Sequence, residues 1–212
     1  MQEPMAEAPE PQPAESGTTP RKRPKPGERR IQILQALATM LEKPGAERVT
    51  TAALAAQLQV SEAALYRHFA SKAQMFEGLI DFIEQTVFTL INQVAEREDD
   101  GVVKAGRIVA LVLQFAERNP GMTRVMVGDA LVSEHERLQQ RMNQFFDRIE
   151  LSLRQVLRES QAVQQSQTPT VESQVRASVL TSLVIGRLHR FCRSGFKKSP
   201  SEALDHTLAL LS

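Results

Sequence analysis

The residues best suited to chemistry in this chain lie between Arg48 and Lys72, and the chemistry they suit is recognition of a phosphate backbone and of base edges. Thr50 and Thr51 bring hydroxyls and backbone N–H groups to the start of a short helix, a donor set placed for a phosphate. Ser61 stands at the start of a second short helix, and the small side chain of Ala63 near its N-terminus allows close approach to base edges. Tyr66, His68 and Lys72 follow as groups able to hold the backbone. No comparable constellation supports catalysis. The histidines His68, His135, His189 and His206 have no second histidine three or four residues away, and Cys192 stands alone, so no metal site has recognisable spacing. In the Glu134-His135-Glu136 trio, neighbours on a helix diverge by about a quarter turn and cannot converge on one ion; a solvated helix start accounts for them. Gly-rich phosphate loop, nucleophile elbow and paired-carboxylate patterns are absent. The expectation is no catalytic residue, no metal, no cofactor and no enzyme.

The elements that must position these groups follow from periodicity. Thr50 caps a helix whose Leu54 and Leu58 fall four apart, Gln59-Val60 turns, and Ser61 caps a helix whose Leu65 and Phe69 again fall four apart. Glu62, Ala63, Tyr66 and Arg67 then point away from that apolar face. Two short helices on a tight turn fit a DNA major groove, whereas two ordinary packing helices would bury Tyr66 and His68. A preceding helix spans Glu28 to Lys43 with Ile31, Leu34, Ala38 and Leu41 on one stripe and is stopped by Pro44-Gly45. Together they make a three-helix head over residues 28–70.

A larger all-helical unit occupies 71–212. A Ser71-x-x-Gln74 capping box opens a helix to Arg97 carrying Met75, Leu79, Phe82, Ile83, Val87 and Ile91. The next spans Val102 to Arg118 and is apolar on more than one face, as a central bundle helix must be, before Asn119-Pro120-Gly121 ends it. A short helix from Met122 to Val127 precedes a long one from Leu131 to Glu159, striped by Leu138, Met142, Phe145, Ile149, Leu153, Val156 and Leu157. After a polar loop over 160–167, Thr168-Pro169 opens a helix to Arg193. Its Val175, Val179, Leu180, Leu183, Val184 and Leu188 are too broad for one neighbour, which points to self-association through a four-helix interface. Ser199-Pro200-Ser201-Glu202 predicts a final capped helix.

Composition fits this plan. The 42% hydrophobic and 24% charged content of the 212 residues is ordinary for a globular chain. Residues 1–27 hold seven of the eleven prolines and almost no large apolar groups, which predicts a disordered tail. Its basic end, Arg21, Lys22, Arg23 and Lys25 with Arg29 and Arg30 just beyond, suits phosphate neutralisation beside the head. No apolar run has the length of a membrane span and no signal-peptide core is present, so a cytosolic location is expected.

The head and helical body together resemble the TetR family of dimeric regulators. Ser61-Glu-Ala-Ala-Leu-Tyr-Arg-His-Phe69, Phe82-Ile83-Glu84, Glu117-Arg118-Asn119-Pro120-Gly121-Met-Thr-Arg124 and Leu153-Arg-Gln-Val-Leu-Arg-Glu159 narrow the resemblance to the SlmA-like nucleoid occlusion factors within it. That resemblance implies a homodimer bound to palindromic chromosomal DNA that engages the C-terminal tail of the division protein FtsZ and disrupts its polymers over the nucleoid. It also implies a tail groove whose matching positions are Phe82, Leu111, Arg118 and Asn119; Leu90 and Gln114 depart from the family's arginine and glycine there. On residue chemistry alone Phe82 and Leu111 equally suit a closed core, Arg118 the negative end of a helix dipole and Asn119 a cap before proline. The same architecture also admits a transcriptional repressor whose body encloses a small-molecule pocket.

Overall fold

Side-chain caps start the helices close to where the sequence places them. The Thr50, Ser61 and Ser71 hydroxyl oxygens accept from the N–H groups of Ala53, Ala64 and Gln74 at 3.1, 3.3 and 3.2 Å, each satisfying a donor that a helix start leaves unpaired. Gln74 reaches back, its Oε1 accepting from Ala70 N–H at 2.8 Å, one residue before the cap itself. Asp100 accepts from the N–H groups of Val102 and Val103 at 2.8 and 2.9 Å.

The computed structural model describes residues 27–43, 49–160 and 164–210, and every regular element among them is helical. In chain order they are α1 (Glu28–Glu42), α2 (Thr51–Gln57), α3 (Glu62–Tyr66), α4 (Lys72–Arg97), α5 (Gly101–Arg118), α6 (Pro120–Met126), a 3₁₀ turn (Asp129–Leu131), α7 (Glu136–Arg158), α8 (Pro169–Arg193) and α9 (Leu204–Ala209). The Pro-rich segment with Arg21, Lys22, Arg23 and Lys25, the Pro44-Gly45 stop and part of the polar loop lie outside the described residues.

Three expectations need correction. The buried row of α1 is Ile33, Leu37, Ala38 and Leu41, with Leu34 half-buried, and Ile31 is 57% exposed. Residues two positions apart on a helix are separated by roughly 200°, so Ile31 cannot share the face of Ile33. The helix expected from Leu131 begins at Glu136, because Gly128 at φ 85 turns the chain into the short 3₁₀ segment and His135 Nδ1 accepts the Arg137 N–H at 3.3 Å as the cap. Finally, Ser199 does not cap the last helix. The Arg187 guanidinium donates to the Pro200 and Glu202 carbonyls, both at 2.8 Å, which occupies acceptors that a helical turn there would use, and α9 begins only after Ala203 at φ 47.

The core is continuous from head to body. α5 lies in the middle, packed on α4, α6, α7 and α8, which accounts for its apolar breadth. α7 and α8 run antiparallel, with Arg154 near the end of one donating to Gln174 near the start of the other at 2.7 Å. The predicted α7 stripe from Leu138 to Leu157 is buried throughout. α6 seats the head: at Gly121 an added Cβ would lie 2.0 Å from the Ala38 carbonyl oxygen of α1. Gly121→Ala must therefore separate α1 from α6, and we expect a loss of about 1–3 kcal/mol, the usual range for overpacking, read as a lower urea midpoint in equilibrium unfolding.

Candidate nucleic-acid interface and candidate partner surface

α2 and α3 are short because each is defined by one cap and one turn, and this is what exposes their starts. The oxygens of Thr50 and Ser61 are used as caps, but a hydroxyl that accepts retains its own proton, so both remain donors toward an external oxygen. Thr51 differs: its hydroxyl donates to Glu62 Oε2 at 2.6 Å, tying α2 to α3 across the turn, where Gln59 adopts φ 54. Leu54 and Leu65 are buried while Ala63 and Arg67 are exposed. Tyr66 is 45% exposed and His68 half-buried, so neither lines a closed core.

The flanking cations divide by their partners. Arg30 donates to the His68 carbonyl at 2.5 Å and lies 4.1 Å from the Phe69 ring centroid, pinning α1 to the end of α3. Arg29 donates to Gln32 at 3.1 Å. Lys72 forms an ion pair with Glu134, whose side chain is only 10% exposed, and sits over the Phe76 ring. That pair was not legible in the sequence because its members are 62 residues apart.

The second set of residues lies on α4 and α5. α4 has three distinct faces. Met75, Leu79, Ile83, Val87 and Ile91 are buried in the core. Glu77, Asp81 and Glu84 form a row facing α7, where Arg137 donates to Glu77 at 2.8 Å and Arg141 donates to Asp81 and Glu84 at 2.6 Å each. Hydrogen bonding to Glu84, opposed by partial burial and supported by Asp81, holds the Arg141 guanidinium firmly in its charged form. Farther along, Phe88 meets Phe145 edge-on at 5.5 Å and lies beneath Arg148. Phe82 sits roughly a third of a turn round α4 from the acidic row and is 47% exposed, outside the core stripe in which the sequence had placed it.

On α5, Leu111 is half-buried and Arg118 exposed, two helical turns apart on one face, with exposed Gln114 between them. Leu90 is at the exposed edge of α4. Arg118 has no ion-pair partner among the described residues. Asn119 is a cap as well as a surface group: its Nδ2 donates to the Phe115 carbonyl at 2.7 Å, and its own carbonyl accepts from Thr123 N–H at 2.9 Å. Its residual capacity is chiefly the side-chain carbonyl.

The outer faces of α7 and α8 expose Leu151, Val171, Val175 and Val179, whereas Leu180, Val184 and Leu188 are buried within the subunit. The apolar breadth of α8 thus resolves into two faces, and Leu151, two residues off the buried α7 stripe, carries no periodic signal of its own. Open clefts of about 320 and 500 Å³ flank Leu151, lined by charged and amide groups including Arg154 and Glu150 or Glu159. They lie outside the buried faces of the body, where a ligand-binding interior would sit. Among the described residues no group of three or more His, Cys, Asp or Glu could hold a metal, and no helix is long and apolar enough to cross a membrane.

Comparison with known proteins adds sequence relatives and a fold. A family model described as "Bacterial regulatory proteins, tetR family" matches residues 33–79, and one described as "Tetracyclin repressor-like, C-terminal domain", of the SlmA-like type, matches 99–212. The chain is 55% identical over 185 residues to the nucleoid occlusion factor SlmA of Photobacterium profundum, covering 87% of this chain and 94% of that protein. It is 53% identical over 174 residues to the SlmA of Idiomarina loihiensis, covering 82% and 88%. A TetR-family transcriptional regulator from Bordetella parapertussis shares the fold with a TM-score of 0.69 at 17% identity, covering 87% of this chain and 94% of that one.

Both surfaces depend on α4 being held in register. Replacing Arg141 with Met strands Asp81 and Glu84 as a like-charged pair, and because the site is partly exposed we expect a destabilisation of about 1 kcal/mol, growing smaller at high salt in urea titrations.

Proposed function

Because this chain belongs to the SlmA-like nucleoid occlusion factors of the TetR family, we propose that it is a DNA-bound inhibitor of cell division. It binds palindromic chromosomal sites as a homodimer and, while bound, engages the C-terminal tail of FtsZ and breaks down FtsZ polymers over the nucleoid. Residues 28–70 act as the reading head and 71–212 as the dimerising and partner-binding body.

In the head, Ala63 and Tyr66 on the outer side of α3 enter the major groove while the free hydroxyl protons of Thr50 and Ser61 meet phosphates. Thr51 acts chiefly through Glu62, and His68, Arg29 and Arg30 set the edge of the head against α1. Lys72 is anchored by Glu134 and reaches DNA only at the start of α4. The valines of α8 and Leu151 of α7 supply the apolar part of a four-helix dimer interface. Its symmetry presents two heads to the two half-sites of a palindrome.

The observation that supports the partner half of this reading is the exposure of Phe82 on a helix whose core-stripe hydrophobics are buried. An apolar tail residue would cover Phe82 and Leu111, and the unpaired Arg118 guanidinium would take a carboxylate or a backbone carbonyl. With Leu90 in place of an arginine, recognition of acidic tail groups falls more heavily on Arg118.

Light scattering of FtsZ polymerising with GTP tests the whole reading. The protein together with DNA carrying its palindromic site should reduce the scattering far more than the protein alone, and no effect from a DNA-binding dimer would refute FtsZ inhibition. Tyr66→Ala should weaken site binding at least tenfold and leave the dimer intact. Arg118→Asp should spare DNA affinity and abolish the effect on FtsZ; retained polymer loss in that variant would remove the groove assignment.

A further inference from the structure

Charge in the second half of the chain is unevenly placed. From Ser173 to Ser201 there are six cations, Arg176, Arg187, Arg190, Arg193, Lys197 and Lys198, and no carboxylate. Arg187 is committed to the Pro200 and Glu202 carbonyls and to the Thr207 hydroxyl. Arg190, Arg193, Lys197 and Lys198 are exposed and have neither an ion pair nor a side-chain hydrogen bond among the described residues. They sit on a built corner. α8 ends with Gly195 and Phe196 both in the left-handed region, and the Ser194 hydroxyl accepts from the N–H groups of Lys197 and Lys198 at 3.1 and 2.9 Å. Glu202 lines a small cleft beside this corner with Arg190 and Lys198, its carbonyl held by Arg187, and Asp129 of the 3₁₀ turn lies close enough to Cys192 in the last turn of α8 to act on it electrostatically.

Helix polarity fixes the end of the molecule to which this corner belongs. α7 begins beside the start of α4, through Lys72–Glu134 and Arg137–Glu77, directly after the head. It ends beside the start of α5, where the Val156 carbonyl lies against Gly101. Antiparallel α8 therefore finishes at the head end. Phe196 agrees with that position locally: Arg124 of α6 lies 5.2 Å from its ring centroid, and α6 in turn carries the head through Gly121 and Ala38. In a dimer paired through the outer faces of α7 and α8, each subunit carries such a corner at the end of the body from which its head projects.

We infer that Arg190, Arg193, Lys197 and Lys198 form a second phosphate-binding surface that meets the DNA backbone beside the reading heads. This rests on the DNA-binding and dimer reading above. Cations without partners at the DNA-facing end match a polyanion in sign and position, and they touch no base edge, so they add affinity and salt dependence without adding sequence preference.

The test measures affinity of the full chain for a duplex carrying the site and for a scrambled duplex over a series of salt concentrations. The proteins compared are the unaltered chain, Lys197→Gln/Lys198→Gln, Arg190→Gln/Arg193→Gln and Tyr66→Ala. Each phosphate that a variant no longer neutralises lowers the slope of log affinity against log salt by about 0.9. We expect each double variant to lower the slope by about 1–2 and to weaken both duplexes by the same several-fold factor, leaving their ratio unchanged. An unchanged slope and affinity in both double variants, with Tyr66→Ala impaired, overturns the inference and leaves the head assignment standing; failure of the unaltered chain to bind either duplex overturns the DNA reading itself. Loss of binding to phosphatidylglycerol vesicles in the variants with an unchanged DNA slope would also overturn it, assigning the corner to a lipid surface. Variants that bind with unaltered heat-unfolding midpoints exclude misfolding as the cause.

Discussion

The corner made by Asn119, Pro120 and Gly121 is the constraint on which the rest of the arrangement depends. Asn119 stops α5 by bonding the Phe115 carbonyl, Pro120 starts α6 where an N–H would go unused anyway, and Gly121 lets α6 come within touching distance of an α1 carbonyl. Thr123 locks the turn from inside, its hydroxyl bonding the Ala116 carbonyl at 2.8 Å with no exposure to solvent. Three consecutive residues thus seat the head on the body and determine where Arg118 emerges. A change that moves one moves the other, so the head and the Arg118 end of α5 share one support.

α4 carries the same economy along its length. Its apolar stripe is buried, its acidic row is bound by Arg137 and Arg141, and its remaining edge, with Phe82 and Leu90, is exposed. The ion pairs contribute modestly to stability because they are partly solvated. Their larger effect is directional, since a bidentate guanidinium between Asp81 and Glu84 fixes the rotation of α4 about its own axis. That rotation decides whether Phe82 faces outward or into the core.

What the sequence made legible was local. A cap needs only a hydroxyl and an N–H three residues later, so Thr50, Ser61 and Ser71 could be read directly, as could the long buried stripe of α7, whose seven positions repeat with helical spacing. What escaped was non-local. Ile31 and Ile33 are equally apolar, and only the position of α4 and α6 selects the face that is covered. The proline at 200 looked like a helix start until Arg187, thirteen residues earlier, took the carbonyls. For the candidate sites the same division holds: the hydroxyls of the head were evident from spacing, whereas the Lys72–Glu134 pair and the exposure of Phe82 required the fold. The basic end of α8 has no motif at all, and becomes notable only because α8 ends beside the head.

Cations near helix C-termini have a reason to be there without any ligand, since each gains about 0.3–1 kcal/mol from the helix dipole. Arg118 on α5 and Arg190 and Arg193 on α8 all satisfy that condition. Position alone therefore does not separate a folding role from a binding role; pairing identifies the cations that are already committed inside the subunit. Lys72, Arg137, Arg141 and Arg187 are held by carboxylates or carbonyls and act inside the subunit. Arg118, Arg190 and Arg193 project into solvent from helix ends and Lys197 and Lys198 from the turn after α8, with their charge screened only by water and salt. A cation of this kind gives up rotamer freedom when an anion arrives, about 0.5–1.5 kcal/mol for each side chain held, but it forfeits no internal partner. These two unpaired sets lie on different elements, Arg118 at the end of α5 and the other four at and just past the end of α8, so an anion bound by one need not displace an anion bound by the other.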